Sequence, residues 1–154
     1  MPTFFEPNLE VYITNECNLS CGNCNRFNNH DFQGHYYWED YAEDFEKWSK
    51  KIDGSLITII GGEPSLHPDL DSWVKNLRRL WPNTKIMIQT NGVKQGPDYR
   101  GEYDIPWTVS VHDPEMSSKL LKRWLPRYII PDVNFIDNSE FTTATIQPKA
   151  DGFV

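Results

Sequence analysis

Cysteine is scarce in this chain, and so are long apolar runs and clusters of positive charge. Only three of the 154 residues are cysteine, and all three, Cys17, Cys21 and Cys24, fall within eight positions. An odd number crowded so closely excludes a disulfide framework, which leaves a metal site or reactive thiols in a reducing compartment. The longest greasy stretch, LITII at 56–60, is far too short to cross a bilayer. MPTFFEPNLE at 1–10 lacks the basic flank and apolar core of a signal peptide, so a cytoplasmic protein with no membrane association is expected. Fifteen Lys and Arg stand against twenty-two Asp and Glu, a formal charge of −7, and the densest basic cluster is KLLKRWLPR at 119–127. That balance disfavours a general affinity for the nucleic-acid backbone. Internal repeats and low-complexity segments are absent too.

What is present suits one folded domain spanning 1–154. At this length roughly 68–70% of the unfolded chain's surface can be buried. The composition, 38% hydrophobic and 14% aromatic with six tryptophans, is that of a globular protein. A complete eight-unit α/β barrel takes about 250 residues, so any barrel must be partial.

Strand and helix patterns alternate. LEVYIT (9–14) reads as a first strand, followed at once by the cysteine loop. Trp38, Tyr41, Phe45, Trp48 and Ile52 fall on one helical face, and Asp53-Gly54 is expected to end that helix. SLITII (55–60) reads as a buried second strand that stops at GGEP. A second helix is expected from near Pro68, with Leu70, Trp73, Val74, Leu77 and Leu80 as its buried stripe and Pro82 beyond its end. KIMIQT (85–90) before Asn91-Gly92 is a third strand and WTVSV (107–111) a fourth; Asp113-Pro114 then opens a helix to about Leu125. After about residue 126 the pattern weakens, and DVNFI and TTATIQ read as two more short strands. This order predicts an α/β fold, a parallel sheet with outer helices, whose carboxyl-end loops gather on one rim. The cysteine loop, GGEP, TNG and SVHD are all at such ends.

The spacing C-x3-C-x2-C lets three thiolates turn toward one centre, and thiolates select zinc, copper(I) or iron–sulfur clusters. A structural zinc is closed by four protein ligands, whereas a four-iron cluster held by three cysteines leaves one iron open to an external ligand. The loop in this position resembles that of the radical S-adenosylmethionine (radical SAM) superfamily. The resemblance covers about residues 8–125 and implies a shortened, partial (β/α)6 TIM-like barrel. It implies that Cys17, Cys21 and Cys24 hold a [4Fe-4S] cluster whose fourth iron chelates S-adenosylmethionine. GGEP is similar to the family's second-strand motif, so Gly61, Gly62, Glu63 and Pro64 are implied in cofactor binding, with the Glu63 carboxylate meeting the methionine ammonium. On the ligand side, two glycines would permit close backbone approach. Ser110 and His112 stand where the family contacts the ribose, and Asn91 of TNG faces the same rim. Many family members carry an aromatic residue just before the third cysteine, where this chain has Asn23. The implied activity is reductive cleavage of S-adenosylmethionine to a 5′-deoxyadenosyl radical that takes hydrogen from a substrate. The implied partners are an external electron donor of flavodoxin or ferredoxin type and a small-molecule or peptide substrate. The abbreviated C-terminal third leaves room for a homodimer or a partner protein to cover the barrel's open side.

Plainer readings stand beside these. The cysteines could hold zinc completed by His30 or His35, making a binding module, or the chain could be a S-adenosylmethionine-binding relic that needs a partner. Glu63 could be a helix-capping carboxylate and Ser110 a turn residue. In GHYYWEDY (34–41), Trp38 and Tyr41 are expected in the core, leaving His35, Tyr36 and Tyr37 for the rim. His67 is expected to be structural, Lys119 to Arg127 a solvated face, and the basic end of RRLWPNTK a complement to the helix dipole.

Overall fold

A computed structural model describes residues 4–22, 24–28 and 32–111, together with the backbone of 136–137 and 147–148. In chain order the elements are β1 (Phe4–Tyr12), β2 (Leu19–Ser20), α1 (Trp38–Ser49), β3 (Ile52–Ile60), α2 (Leu70–Leu80), β4 (Lys85–Thr90), α3 (Arg100–Tyr103), β5 (Trp107–Val111), β6 (Ile136–Asp137) and β7 (Gln147–Pro148). Five of the strands form one sheet in the order β1-β3-β4-β5-β6, every pair parallel. β2 and β7 form a separate antiparallel pair. The chain is thus an α/β protein with a parallel sheet, as its alternating pattern predicts.

Side chains alternate across a strand, so the register sorts the sheet into two faces. Leu9 and Val11, Ile57 and Ile59, Ile86 and Ile88, and Trp107 and Val109 share one face. They form a single core with Trp38 and Phe45 of α1 and Leu70, Trp73, Val74 and Leu77 of α2. Trp38 and Phe45 both meet Trp73 nearly edge-on, at centroid separations of 5.2 and 5.4 Å. The opposite face carries Thr58, Met87, Gln89, Thr108 and Ser110, and there Gln89 donates to Ser110 Oγ at 2.8 Å. One sheet therefore has an oily side under the helices and a polar side away from them.

The first helix is shorter than its apolar spacing predicts. It ends at Ser49, and Ile52, Asp53 and Gly54 are already in β3, paired with Phe4, Phe5 and Glu6. Gly54 serves the sheet and not a helix terminus, because a Cβ there would stand 2.5 Å from the Glu6 carbonyl oxygen. Trp48, on the predicted apolar face, is 46% exposed, and Tyr41, expected in the core, is half-buried against it. β1 also begins five residues earlier than the pattern suggests, with Phe4 and Phe5 exposed. α2 starts at Leu70, after a 3-10 turn at Pro64–Leu66, and the short α3 had no sequence signal. The helix expected from Asp113 lies outside the described residues, and of the two late strands only Ile136–Asp137 and Gln147–Pro148 are described.

The basic end of α2 does more than complement the dipole. Arg78 donates to the carbonyls of Tyr103, Trp81, Pro82, Thr84 and Asp104, at 2.7–3.3 Å, tying the helix end to α3 and to the turn before β4. Arg79 pairs with Glu46 of α1 at 2.6 Å. No helix among the described residues is long and apolar enough to cross a membrane.

Candidate metal and cofactor centre

The site begins where β1 runs out. Past the ladder, Ile13 donates to Ile60 O, Gly62 to Thr14 O and Glu63 to Glu16 O, at 2.7–2.9 Å. The approach to the cysteine loop is thereby zipped to the GGE segment leaving β3. This is what the two glycines answer to. A Cβ on Gly61 would lie 2.7 Å from Thr14 O, and one on Gly62 only 2.3 Å from Glu16 O. The crowding comes from the chain's own backbone, where a ligand was the expected reason.

Cys17 follows directly, half-buried, with the Leu19 amide donating to its sulfur at 3.4 Å. Loss of solvent, first, and the charges of Glu63, Cys21 and Cys24, next, push its thiol up to about 12, against the pull of the Leu19 hydrogen bond. Burial, then Cys24, raises Cys21 as well. The three sulfurs therefore feel one another's charge, and Cys17 feels that of Glu63. Asn28 is buried at the far end of the loop, accepting from Cys24 Sγ at 3.8 Å and donating to Asn15 O and, at 3.3 Å, to the Tyr12 hydroxyl. Phe27, at φ 58°, makes the left-handed turn that delivers it.

Glu63 is fully buried. Its Oε1 accepts from the Ser65 amide at 3.0 Å and the Thr90 hydroxyl at 2.6 Å, and its Oε2 from the Asn91 amide at 2.7 Å. It does cap the 3-10 turn, with Pro64 at the first position, but a cap need not be sealed from water. Desolvation raises its carboxyl above the usual range, and the donors from Ser65, Thr90 and Asn91 hold it back in part. Each donor is neutral, and among the described residues no Lys or Arg pairs with it. Ser65 Oγ, buried next to it, has no hydrogen-bond partner among the described residues.

Asn91 joins the two halves. Its backbone amide holds Glu63, while its side-chain amide donates to Asn18 Oδ1 at 2.7 Å and toward Cys17 Sγ at 3.9 Å. Ser110, also buried, accepts from Gln89. His112, His30 and Asn23 lie outside the described residues. His35 Nδ1 is engaged with the Thr14 hydroxyl at 2.8 Å, and its ring meets His67 edge-on. His67 is structural, as expected: its Nδ1 accepts from the Asp69 amide, so Nε2 donates to Tyr36 O, and burial lowers its pKa. Tyr36 packs edge-on against Tyr12 and Tyr41.

Three rim segments predicted from sequence thus meet, the cysteine loop, GGEP and TNG, while the end of β5 is joined to β4 through Ser110 and Gln89. Sequence reasoning missed Asn18, Asn28, Ser65, Thr90 and Gln89. The available signal was the asparagine density of the loop, with Asn15, Asn18, Asn23, Asn25, Asn28 and Asn29 inside fifteen residues. Among the described residues no three His, Cys, Asp or Glu are gathered tightly enough for a single metal ion. A multi-iron cluster asks less of them, since each thiolate ligates its own iron, and an all-sulfur donor set of three matches one.

The described residues thus present a parallel α/β sheet with a three-thiol loop and a buried carboxylate beside neutral donors at its carboxyl-end rim. Comparison with known families gives this arrangement its name. The model of the Radical SAM superfamily matches residues 11–99, more than half the chain, and the chain belongs to that superfamily of enzymes. A GTP 3′,8-cyclase of Nautilia profundicola is 34% identical over 86 residues, 54% of this chain and 27% of that protein. A probable GTP 3′,8-cyclase of Methanocaldococcus jannaschii is 32% identical over 87 residues, 55% and 28% of the two chains. In the GTP 3′,8-cyclase of Aquifex aeolicus, 28% identity runs over 123 residues, 75% of this chain and 38% of that one. The chain spans about a quarter to two-fifths of the length of these relatives.

Proposed function

We propose that this chain is the core of a radical SAM enzyme in which Cys17, Cys21 and Cys24 hold a [4Fe-4S] cluster and Glu63 receives the ammonium of S-adenosylmethionine. The observation that carries this reading is the Glu63 carboxylate, sealed from water beside Cys17 with only neutral donors around it among the described residues. A desolvated anion with no counter-charge is costly, and a ligand ammonium is the group that relieves it. With the cluster held by Cys17, Cys21 and Cys24, it would supply one electron to the sulfonium, whose cleavage would release methionine and leave a 5′-deoxyadenosyl group able to take hydrogen from substrate.

The chain's own residues orient and exclude. Ser65, Thr90 and Asn91 fix the carboxylate so that both oxygens keep their place before a ligand arrives. Gly61 and Gly62, by admitting Thr14 and Glu16, hold the thiols beside it, and Pro64 sets the turn that brings Ser65 round. Ser110, oriented by Gln89 on the polar sheet face, serves the ribose, and His112 is assigned with it. The sheet is the wall of a partial (β/α)6 barrel formed by 1–154, with its polar face toward substrate. An external flavodoxin- or ferredoxin-type protein supplies the electron in a reducing, cytoplasmic setting. The relatives' name makes a purine nucleotide the first small-molecule substrate to test, ahead of a peptide. A second copy or a partner protein closes the remaining side of the barrel.

Anaerobic reconstitution with iron and sulfide tests the reading. A brown protein that yields 5′-deoxyadenosine from S-adenosylmethionine after reduction is the expected result. A colourless protein holding stoichiometric zinc would replace it with the binding module, and a brown one that never cleaves with the relic.

A further inference from the structure

The three cysteines are not equivalent, and Asn91 makes the difference. Among the described residues Cys17 is the sulfur that two N–H donors approach, the Leu19 amide at 3.4 Å and Asn91 Nδ2 at 3.9 Å. The second donor comes from seventy-four residues away, across the rim. It is held there from several sides. Asn18 Oδ1 takes the same amide at 2.7 Å, Asn91 Oδ1 accepts from the Val93 amide at 3.0 Å, and the Asn91 backbone amide is fixed on Glu63. Both Asn18 and Asn91 are buried, so this amide is oriented by the fold and is little exposed to water. An N–H aimed at a thiolate stabilises negative charge on the sulfur, and hydrogen bonds to cluster sulfurs are among the levers that set reduction potential.

We infer that Asn91 is a positioning residue that biases the electron affinity of the cluster through Cys17, and that its backbone couples this bias to Glu63. The inference rests on the cluster reading above. Reduction adds negative charge to the cluster, so a donor pointed at Cys17 Sγ favours the reduced form. Its removal makes reduction harder.

The test is an anaerobic redox titration of the reconstituted full chain without S-adenosylmethionine, followed by electron paramagnetic resonance, with iron content measured in parallel. Asn91→Ala is expected to retain iron and to shift the midpoint to more negative potential. Asn18→Ala, which removes the anchor of the amide and leaves the end of β4 untouched, is expected to shift it the same way by less. An unchanged midpoint in Asn91→Ala overturns the inference. Should Asn91→Ala fail to hold iron, Asn18→Ala decides: a negative shift supports the assignment and the parent midpoint overturns it. A parent protein that binds no cluster at all overturns the proposed function itself, an outcome visible before either variant is made.

Discussion

A carboxylate held by three neutral donors, with its water removed and no cation supplied among the described residues, is poised for a charged ligand. Glu63→Gln tests that at the level of one atom. The glutamine keeps the size and an oxygen for Ser65 and Thr90, but it turns an N–H toward the Asn91 amide and carries no charge. Affinity for S-adenosylmethionine is expected to fall by about ten- to a hundredfold, the scale of a charge-assisted hydrogen bond, with iron content retained, as measured by equilibrium binding to the reconstituted protein. The parent's affinity should also weaken as pH falls into the raised range of the Glu63 carboxyl, a dependence absent in Glu63→Gln. Cys17 gives a second, independent pH signal. Its thiol, pushed up to about 12, keeps in the folded apo chain a proton that the unfolded chain releases near the ordinary value of 9.0. The unfolded state therefore binds fewer protons between those values, and stability falls as pH rises through them, by about 1.4 kcal/mol per unit at most. Denaturant unfolding of the metal-free chain at pH 8 and pH 10 should show the loss, and Cys17→Ala should show less of it.

Among the elements, the join between the exits of β1 and β3 decides whether the thiols and the carboxylate share a place. The ladder ends at Tyr12 opposite Ile60, and three further hydrogen bonds, Ile13 to Ile60, Gly62 to Thr14 and Glu63 to Glu16, carry the pairing into the loops. A methyl at Gly62 meets the Glu16 carbonyl oxygen at 2.3 Å and its carbon at 2.8 Å, both backbone, with the Asn28 side-chain amide at 2.9 Å beside them. Gly62→Ala is expected to cost about 1–3 kcal/mol and to lower iron incorporation, since the loop must part from β3 to make room. Gly101→Ala, in α3, where an added Cβ meets nothing within 4 Å, should leave both stability and iron content near the parent's. Unfolding curves and iron analysis of the two variants side by side check the contrast. Part of this region was legible beforehand. GGEP stood out because glycines and a carboxylate ended an apolar strand, but the reason for the glycines did not, because the segment that crowds them is more than forty residues earlier.

For the whole molecule, ligand and fold are linked. A ligand that binds only the folded, cluster-loaded chain adds stability as its concentration rises, about 3 kcal/mol at a hundred times its dissociation constant. S-Adenosylmethionine is therefore expected to raise the melting temperature of the reconstituted protein by several degrees, leaving the metal-free chain and the reconstituted Glu63→Gln protein nearly unmoved. Anaerobic thermal scans at graded ligand concentration measure it. The sheet that organises this response has a clear physical division: isoleucine, valine and tryptophan under the helices, threonine, glutamine and serine on the other side. A continuous apolar run such as SLITII foretold burial but not that Thr58 would stand on the polar face with Met87 and Gln89.

The sequence by itself determined the alternation of the main strands with α1 and α2, the parallel sheet and the cysteine loop. Each follows from neighbouring residues: apolar period, punctuation by glycine and proline, and three thiols at C-x3-C-x2-C. It misplaced the end of α1, because the apolar step to Ile52 continues a helical stripe and Asp53-Gly54 looks like a stop, whereas pairing with Phe4–Glu6 draws those residues into β3. Only the tertiary structure decided that Gly61 and Gly62 serve the chain's own backbone, that Glu63 is closed from water, and that Asn91 reaches Cys17. Those facts depend on which distant segments the parallel register sets side by side, and steric room, desolvation and hydrogen-bond reach exist only once they meet.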